Sequence, residues 1–457
     1  MESLERRIAE LERENQSLRQ ELETARERLA EALREIERLR GLVEETQRAA
    51  LRQAAPFRRP EKAKVPPEER KRPGRKPGHP GAHRAVPEKV DAEIEVPLEA
   101  CPKCRGPVEV VSPLDQYIEE IPPVRPFVVK LRTWSGRCEQ CGEVHSVHPL
   151  QTSRAGGAAK VQLGPRALAV AVGLSQLGLT TRKVCRALKD LAGLTFTAGG
   201  LSQAMQRVAG KLHDRYENLK AALRRRPAVF ADETSWWVNG PGWWLWTFTT
   251  PSETVYVVDQ SRGFDVVRET LTDDYAGVLV SDCLSSYDPA TCRKHKCIAH
   301  HLQAISKAKE LLGQKDQTWL SRWKGFFHAV IALHKLRPKM PPETFAIRRA
   351  ALEGSCDALL ASCPGEPGDV SVRNRLQKQR GHLLTCLYDP AAEPMNNRAE
   401  RALRPAVIAR KLSCGNKTDK GRACWQILSS LATTAHQQAR NFIDDLVPQL
   451  ALAPAAG

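Results

Sequence analysis

The sequence predicts a multidomain α+β protein, with a coiled coil at its start and an α/β domain carrying strand-end acids in its second half. Three observations carry this expectation. Residues 1–50 repeat apolar side chains every seven positions. Two C-x-x-C pairs, Cys101/Cys104 and Cys138/Cys141, follow a proline-rich basic stretch. From residue 226 onward, short apolar runs that end in an acid alternate with helical stretches. A chain of 457 residues exceeds one ordinary core, so several domains are expected.

The heptad comes first. With Ile8 at position a, the a series is Ile8, Asn15, Leu22, Leu29, Ile36 and Val43, and the d series is Leu4, Leu11, Leu18, Ala25, Ala32 and Leu39. Apolar a/d positions with Glu and Arg between them predict a coiled coil and not a helix lying on a globular core. Asn15 at an a position favours a parallel homodimer in register, because its amide is satisfied only by its partner. The opening "MESLERRIAELEREN" has no apolar signal region, and no run reaches the length of a membrane span, so a cytoplasmic protein without membrane contact is expected.

Residues 51–95 form a basic arm. Its segment Arg58–Arg84 holds ten Lys/Arg against three Glu, with six prolines and three glycines. Proline blocks a helix, and no core can form from such a composition. "KRPGRKPGHPG" is the type of arm in which Arg72, Arg75 and Lys76 lie in a narrow minor groove, and it reads equally well as a charged linker. The net charge of +17 is consistent with a polyanionic partner, most simply DNA.

Residues 96–155 read as a small zinc module. "CPKC" and "CEQC" are separated by 33 residues, and each has a glycine just downstream. Such turns aim backbone N–H groups at sulfur, and Cys101, Cys104, Cys138 and Cys141 together would close a tetrahedral structural Zn²⁺ site. The spacer "YIEEIPPVRPFVVKLRTWSG" is expected to supply strands. The remaining nine cysteines are scattered singly, which fits reduced thiols and not a disulfide framework.

Residues 160–225 are expected to be helical, with the cadence of a helix-turn-helix DNA-binding domain: Thr180 caps one helix and the next begins near Gly200. A small helical domain of another kind would show the same pattern.

"PAVFADETSWWVNGPGWWLWTF" then puts five tryptophans within eleven residues, directly after Asp232 and Glu233. Asn239-Gly240-Pro241-Gly242 is hairpin chemistry, so the tryptophans are expected to be the packed faces of two paired strands and not a base-stacking platform. "ETVYVVDQS" makes a third strand, "GFDVVRETL" a helix, "AGVLVSD" a fourth strand ending at Asp282, and "KCIAH" a brief fifth. That order belongs to an RNase H-like fold, in which strands one and four pair and bring Asp232 beside Asp282. Carboxylates converging at strand ends in a basic protein suit two Mg²⁺ ions (or Mn²⁺) and phosphoryl transfer. Glu400 is the third acid sought, on a helix capped near Asn396–Asn397, with Arg401, Arg404, Arg410 and Lys411 following as phosphate-holding groups. Taken by itself, Glu400 could equally be an exposed acid paired with Arg404.

Coiled coil, basic arm, paired C-x-x-C, helical domain, "ADET", "SDCLSSYD", "CIAH" and "NNRAERALRPAVIARK", in this order, resemble the insertion sequence 66 family of bacterial DDE transposases. The resemblance implies a catalytic triad of Asp232, Asp282 and Glu400 in a domain spanning 226–445, a helical insertion at about 300–390, a tail at 446–457, DNA ends and target as partners at the nucleoid, and accessory proteins in some relatives. Cys297 and His300 match its Cys-x-x-His pattern, expected to be a local structural feature. Met395 stands where the family commonly has Asp. The rival readings are a transposase-derived DNA-binding protein without recombination activity and a metal-dependent nuclease that cuts without joining.

Overall fold

The computed structural model describes residues 161–451 except 314, residues 84–153 except 110, 111 and 113, Gly78, and a scatter of positions between 15 and 36. Arg72, Arg75 and Lys76 lie outside the described residues. The chain divides into two units, Met1–Pro123 and Val124–Gly457.

In the first unit, the described positions between 15 and 36 are helical. Leu18, Leu22, Leu29 and Ile36, all a or d positions of the heptad, are exposed. Cys101–Cys104 forms a tight turn: the Cys101 amide donates to Gly106 O at 2.9 Å, and the Arg105 amide to Cys101 O at 2.8 Å.

The second unit opens with a hairpin of β1 (Ser135–Cys138) and β2 (Gly142–His145), with Cys138 opposite Gly142. Beyond it, the expected strands in the spacer do not form, and residues 117–134 are irregular and exposed. Pro122, Pro123 and Pro126 remove ladder donors there.

Four helices follow: α1 (Pro165–Gln176), α2 (Thr181–Ala192), α3 (Ala198–Lys211) and α4 (His213–Leu223). Thr180 occupies the N-cap of α2 but makes no side-chain cap bond. Thr197 caps α3, its Oγ1 accepting from the Gly200 amide at 3.1 Å.

The sheet comprises β3 (Ala228–Trp236), β4 (Trp243–Thr249), β5 (Thr254–Asp259), β6 (Val278–Ser281) and β7 (Arg293–Lys296) in the order β5-β4-β3-β6-β7. The first three are antiparallel neighbours, whereas β6 and β7 run parallel to β3. Helix α5 (Phe264–Leu271) crosses between β5 and β6. The fifth strand lies upstream of the expected "KCIAH": it is "RKHK", and its His295 and Lys296 are fully buried. Lys296 is tolerated there because its Nζ meets Asp288 Oδ1 and Ser281 Oγ, each at 3.3 Å.

Both faces of the sheet are covered, which is why β3 up to Asp232 and β4 to β6 read as largely apolar runs; β7 is the exception. Alternation along β3 and β6 divides the work. Val229, Ala231 and Leu279 face one way and share a core with α1–α4, α12 (Asp419–Gln437) and α13 (Phe442–Leu450). Ala228, Phe230, Val278 and Val280 face the other way, onto α6 (Ile298–Leu312), α7 (Thr318–Leu336), α8 (Pro342–Ala361), α9 (Pro367–Lys378) and α10 (Thr385–Tyr388). The helices of 160–225 therefore share one core with the sheet. Each fully buried Val, Leu or Phe in these layers stabilises the fold by roughly 1.5–3 kcal/mol relative to exposure.

The last layer element that matters for the site is α11 (Asn397–Ser413), lying against β3 and β4. Leu403 and Ala406 pack with Trp236, Leu245 and Tyr256, and the Tyr256 hydroxyl donates to Ala402 O at 2.6 Å. The tryptophan hairpin is mostly interior: Trp236 and Trp246 are buried, Trp243 and Trp244 half-buried, and Trp237 exposed. Arg422 and Arg262 lie over the Trp243 and Trp244 rings. The hairpin tip is clasped by the turn after α11. Asn239 N donates to Asn416 O at 3.0 Å, Asn416 N to Trp237 O at 2.8 Å, and Trp236 Nε1 to Asn416 Oδ1 at 2.8 Å.

Candidate active site

Parallel pairing of β3 with β6 brings the first two acids together. The register runs Ala228 to Val278 and Phe230 to Val280. Asp232 lies two residues beyond the last pair on β3, Asp282 just past the end of β6, and the charge of Asp282 reaches Asp232. Asp282 Oδ1 accepts the Leu284 amide at 2.9 Å, turning the chain off the sheet. Asp232 Oδ1 accepts the Glu233 amide at 2.9 Å.

Glu400 reaches the same place from the first turn of α11. The site's electrostatics record the convergence. Burial, followed by the charges of Glu233, Asp282 and Glu400, pushes the Asp232 carboxyl up from 3.8 to about 7. Glu233 has its own partners: Arg262 Nη2 donates to its Oε1 at 2.8 Å and the Tyr287 hydroxyl to its Oε2 at 2.7 Å. Burial, with Glu233 beside it, drives the Tyr287 phenol well above its ordinary value, so it remains a donor.

Two clasps connect the backbone beside Asp232, within β3, and Asp282, just after β6, to α11. Asn396 is fully buried, and although it holds the N-cap position it makes no side-chain cap bond. Its Nδ2 donates instead to Ala231 O, one residue before Asp232, at 2.7 Å. Its backbone N–H points to Cys297 Sγ at 3.2 Å. Cys297 N donates to Ser281 O, one residue before Asp282, at 2.8 Å, and Ile298 N to Pro394 O at 3.0 Å. The corner at 297–300 and the loop at 394–396 thus join the backbone beside both aspartates to the start of the helix bearing Glu400. A sulfur of Cys297, a ring nitrogen of His300 and a carboxylate oxygen of Glu400 lie within 4.8 Å of one another.

Of the cations read from the sequence, Arg401, Arg404 and Lys411 are exposed on α11. Arg410 is committed inward: its Nη1 donates to Thr234 Oγ1 at 3.2 Å, to Ser235 Oγ at 3.0 Å and to the Ser235 carbonyl. It braces α11 on β3. Away from this site, the amides of Cys104 and Lys103 hold the Cys101 thiol below its ordinary value, and those of Cys141 and Gln140 do the same for Cys138.

The sequence model of the Transposase IS66 family matches residues 160–423. This chain belongs to the IS66 transposase family. The matched span of this IS66 chain takes in the four-helix segment, the sheet, the helical layer and α11. A curated relative, "Uncharacterized protein y4qI" of Sinorhizobium fredii (strain NBRC 101917 / NGR234), is 23% identical over 297 residues, covering 55% of this chain and 52% of its own length. The chain thus spans about half the length of the curated relative it matches. Among the described residues, no helix is long and apolar enough to cross a membrane.

Sequence reasoning missed the roles of Glu233 and Asn396. Glu233 was visible only as the second acid of "ADET", and Asn396 looked like a simple helix cap. The bonds that give both their roles run to residues far away in sequence.

Proposed function

We propose that the chain is a DNA transposase that binds the ends of an insertion sequence and joins them to target DNA, with Asp232, Asp282 and Glu400 as its DDE triad. The observation that carries this reading is the parallel pairing of β3 with β6 next to Asp232 and Asp282, together with the charges of Asp282 and Glu400 acting on Asp232. The strand order β5-β4-β3-β6-β7, with three antiparallel and two parallel members, supports an RNase H-like catalytic domain.

The donor set suits hard cations. A half-buried carboxyl pushed up to about 7 by burial and then by its acidic neighbours is one whose charge a Mg²⁺ or Mn²⁺ pair would compensate. Bound there, the pair would supply Lewis acidity for in-line displacement at phosphorus. The protein's own part is positional. Asn396 and Cys297 fix the three acids relative to one another, and Arg401, Arg404 and Lys411 offer charge to the DNA backbone. The exposed heptad residues Leu18, Leu22, Leu29 and Ile36 support a homodimer through the coiled coil, which would hold two element ends. The amides that lower the Cys101 and Cys138 thiols support each C-x-x-C pair as a Zn²⁺-ligating turn. Accessory transposition proteins belong to this reading as partners.

A plasmid-hop assay tests it. A marker flanked by the DNA bordering this gene is supplied in a bacterial host with wild-type protein or Asp232→Ala. Insertions that need Asp232 and carry a short target duplication are expected. Free ends without joined target would make the protein a nuclease. Equal background from both proteins would leave a DNA-binding role without recombination.

A further inference from the structure

The chain brings amides up to a cysteine sulfur at three places. At Cys101 the donors are Lys103 and Cys104, and at Cys138 they are Gln140 and Cys141. At Cys297 burial raises the thiol instead, and the amides of Asn396, His300 and Ala299 act against it. In each case the amides two and three positions on lie beside the sulfur, donors of the kind that stabilise a metal-bound thiolate. At Cys297 the His300 amide donates to Cys297 O at 3.2 Å, and the Asn396 amide is the one bonded to Sγ, also at 3.2 Å. At the third corner the residue three positions on is His300 instead of cysteine.

Two further observations converge there. Cys297 Sγ, a His300 ring nitrogen and a Glu400 carboxylate oxygen lie within 4.8 Å of one another. His300 Nδ1 is also buried and finds no hydrogen-bond partner among the described residues, which leaves a costly orphan unless something takes it up. We infer that Cys297, His300 and Glu400 form a transition-metal site for Zn²⁺, separate from the C-x-x-C module and adjoining the Asp232–Asp282 pair. Ligand atoms of a tetrahedral zinc shell sit about 3.3–3.8 Å apart, given bond lengths of about 2.0–2.3 Å. The trio closes on an ion through small side-chain rotations.

The donor set selects the metal. One thiolate, one imidazole and one carboxylate suit Zn²⁺, whereas Mg²⁺ and Ca²⁺ take oxygen ligands. Three protein ligands leave a fourth position for water. Binding forms the Zn–S bond as the Cys297 thiol releases its proton to solvent. Glu400 has two carboxylate oxygens. Zinc would hold one and leave the other for the neighbouring acids, making Cys297 and His300 positioning residues for Glu400.

The inference does not rest on strand transfer, and its test reads metal, not recombination. Full-length protein, expressed with Zn²⁺ and dialysed, is analysed by inductively coupled plasma mass spectrometry, with folding checked by circular dichroism and gel filtration. Folded Cys297→Ser and His300→Ala are each expected to carry one zinc per chain fewer than wild type. Equal zinc in folded variants would overturn the site. Should neither variant fold, the chain with Cys101, Cys104, Cys138 and Cys141 all changed to Ser is loaded with Co²⁺. A sulfur-to-cobalt charge-transfer band is expected, strengthened by adding His300→Cys. A Co²⁺ spectrum without that band would overturn the proposal.

Discussion

Replacing Asp232 with Asn is expected to abolish strand transfer while making the Mg²⁺-free protein more stable. The sign follows from its raised carboxyl. Folded, Asp232 titrates at about 7; its ordinary value is 3.8. Below about pH 4 both states are protonated and the site costs nothing. As pH rises through the interval from about 4 to about 7, the unfolded chain loses its proton first, and folding is progressively penalised. At about 1.4 kcal/mol for each pH unit of difference, the penalty is roughly 1.6 kcal/mol at pH 5 and on the order of 4 kcal/mol above pH 7. The substituted amide carries no charge and retains an oxygen to accept the Glu233 N–H. Thermal unfolding of both proteins, with zinc retained and Mg²⁺ omitted, should show the variant's advantage widening from pH 5 to pH 7 and levelling off above. Adding Mg²⁺ at pH 8 should raise the wild-type melting temperature and leave the variant's unchanged. An advantage that is absent, or flat across this range, would refute the argument that burial and the three neighbouring acids raise Asp232.

Two other perturbations probe the surroundings. Gly415 has φ of +87°, and a Cβ there would stand 2.4 Å from Trp237 O. Gly415→Ala should therefore destabilise the protein by more than about 2 kcal/mol through backbone strain and the broken hairpin clasp, seen as a melting temperature lower by several degrees; an unchanged melt would dismiss the clasp. Changing Arg401 and Arg404 together to Ala should weaken binding to a mixed-sequence duplex and reduce the slope of log K against log salt by about 2. Fluorescence anisotropy across a salt series measures this, and an unaltered slope would remove both residues from the DNA surface.

The two aspartates stood out because the signal is local: "PAVFAD" and "AGVLVSD" are apolar runs that stop at a carboxylate. Asp282 does follow the last residue of β6, whereas β3 continues past Asp232 to Trp236, so Asp232 lies within its strand and not at its end. The fifth strand was not legible. "RKHK" has the composition of a solvated loop, and Asp288, brought in from the preceding turn, together with Ser281 on β6 lets Lys296 lie buried. The spacer before "CEQC" misled in the other direction, its valines and aromatics suggesting strands that its prolines do not permit. Arg410 was one cation among several in sequence, and its difference comes from Thr234 and Ser235 across the helix–sheet contact. At Glu400 the sequence supplied the residue and its helix, while the company of Cys297 and His300 depends on contacts across about a hundred positions.

Along the chain, Glu400 lies 118 positions from Asp282. Through space the separation is bridged by Asn396 on Ala231 and Cys297 on Ser281. The intervening helices consequently behave as a removable panel and not as a spacer that measures the site. Evolution or an engineer can lengthen, shorten or exchange that panel, provided the replacement presents an apolar face to Phe230, Val278 and Val280 and leaves both rivets in place.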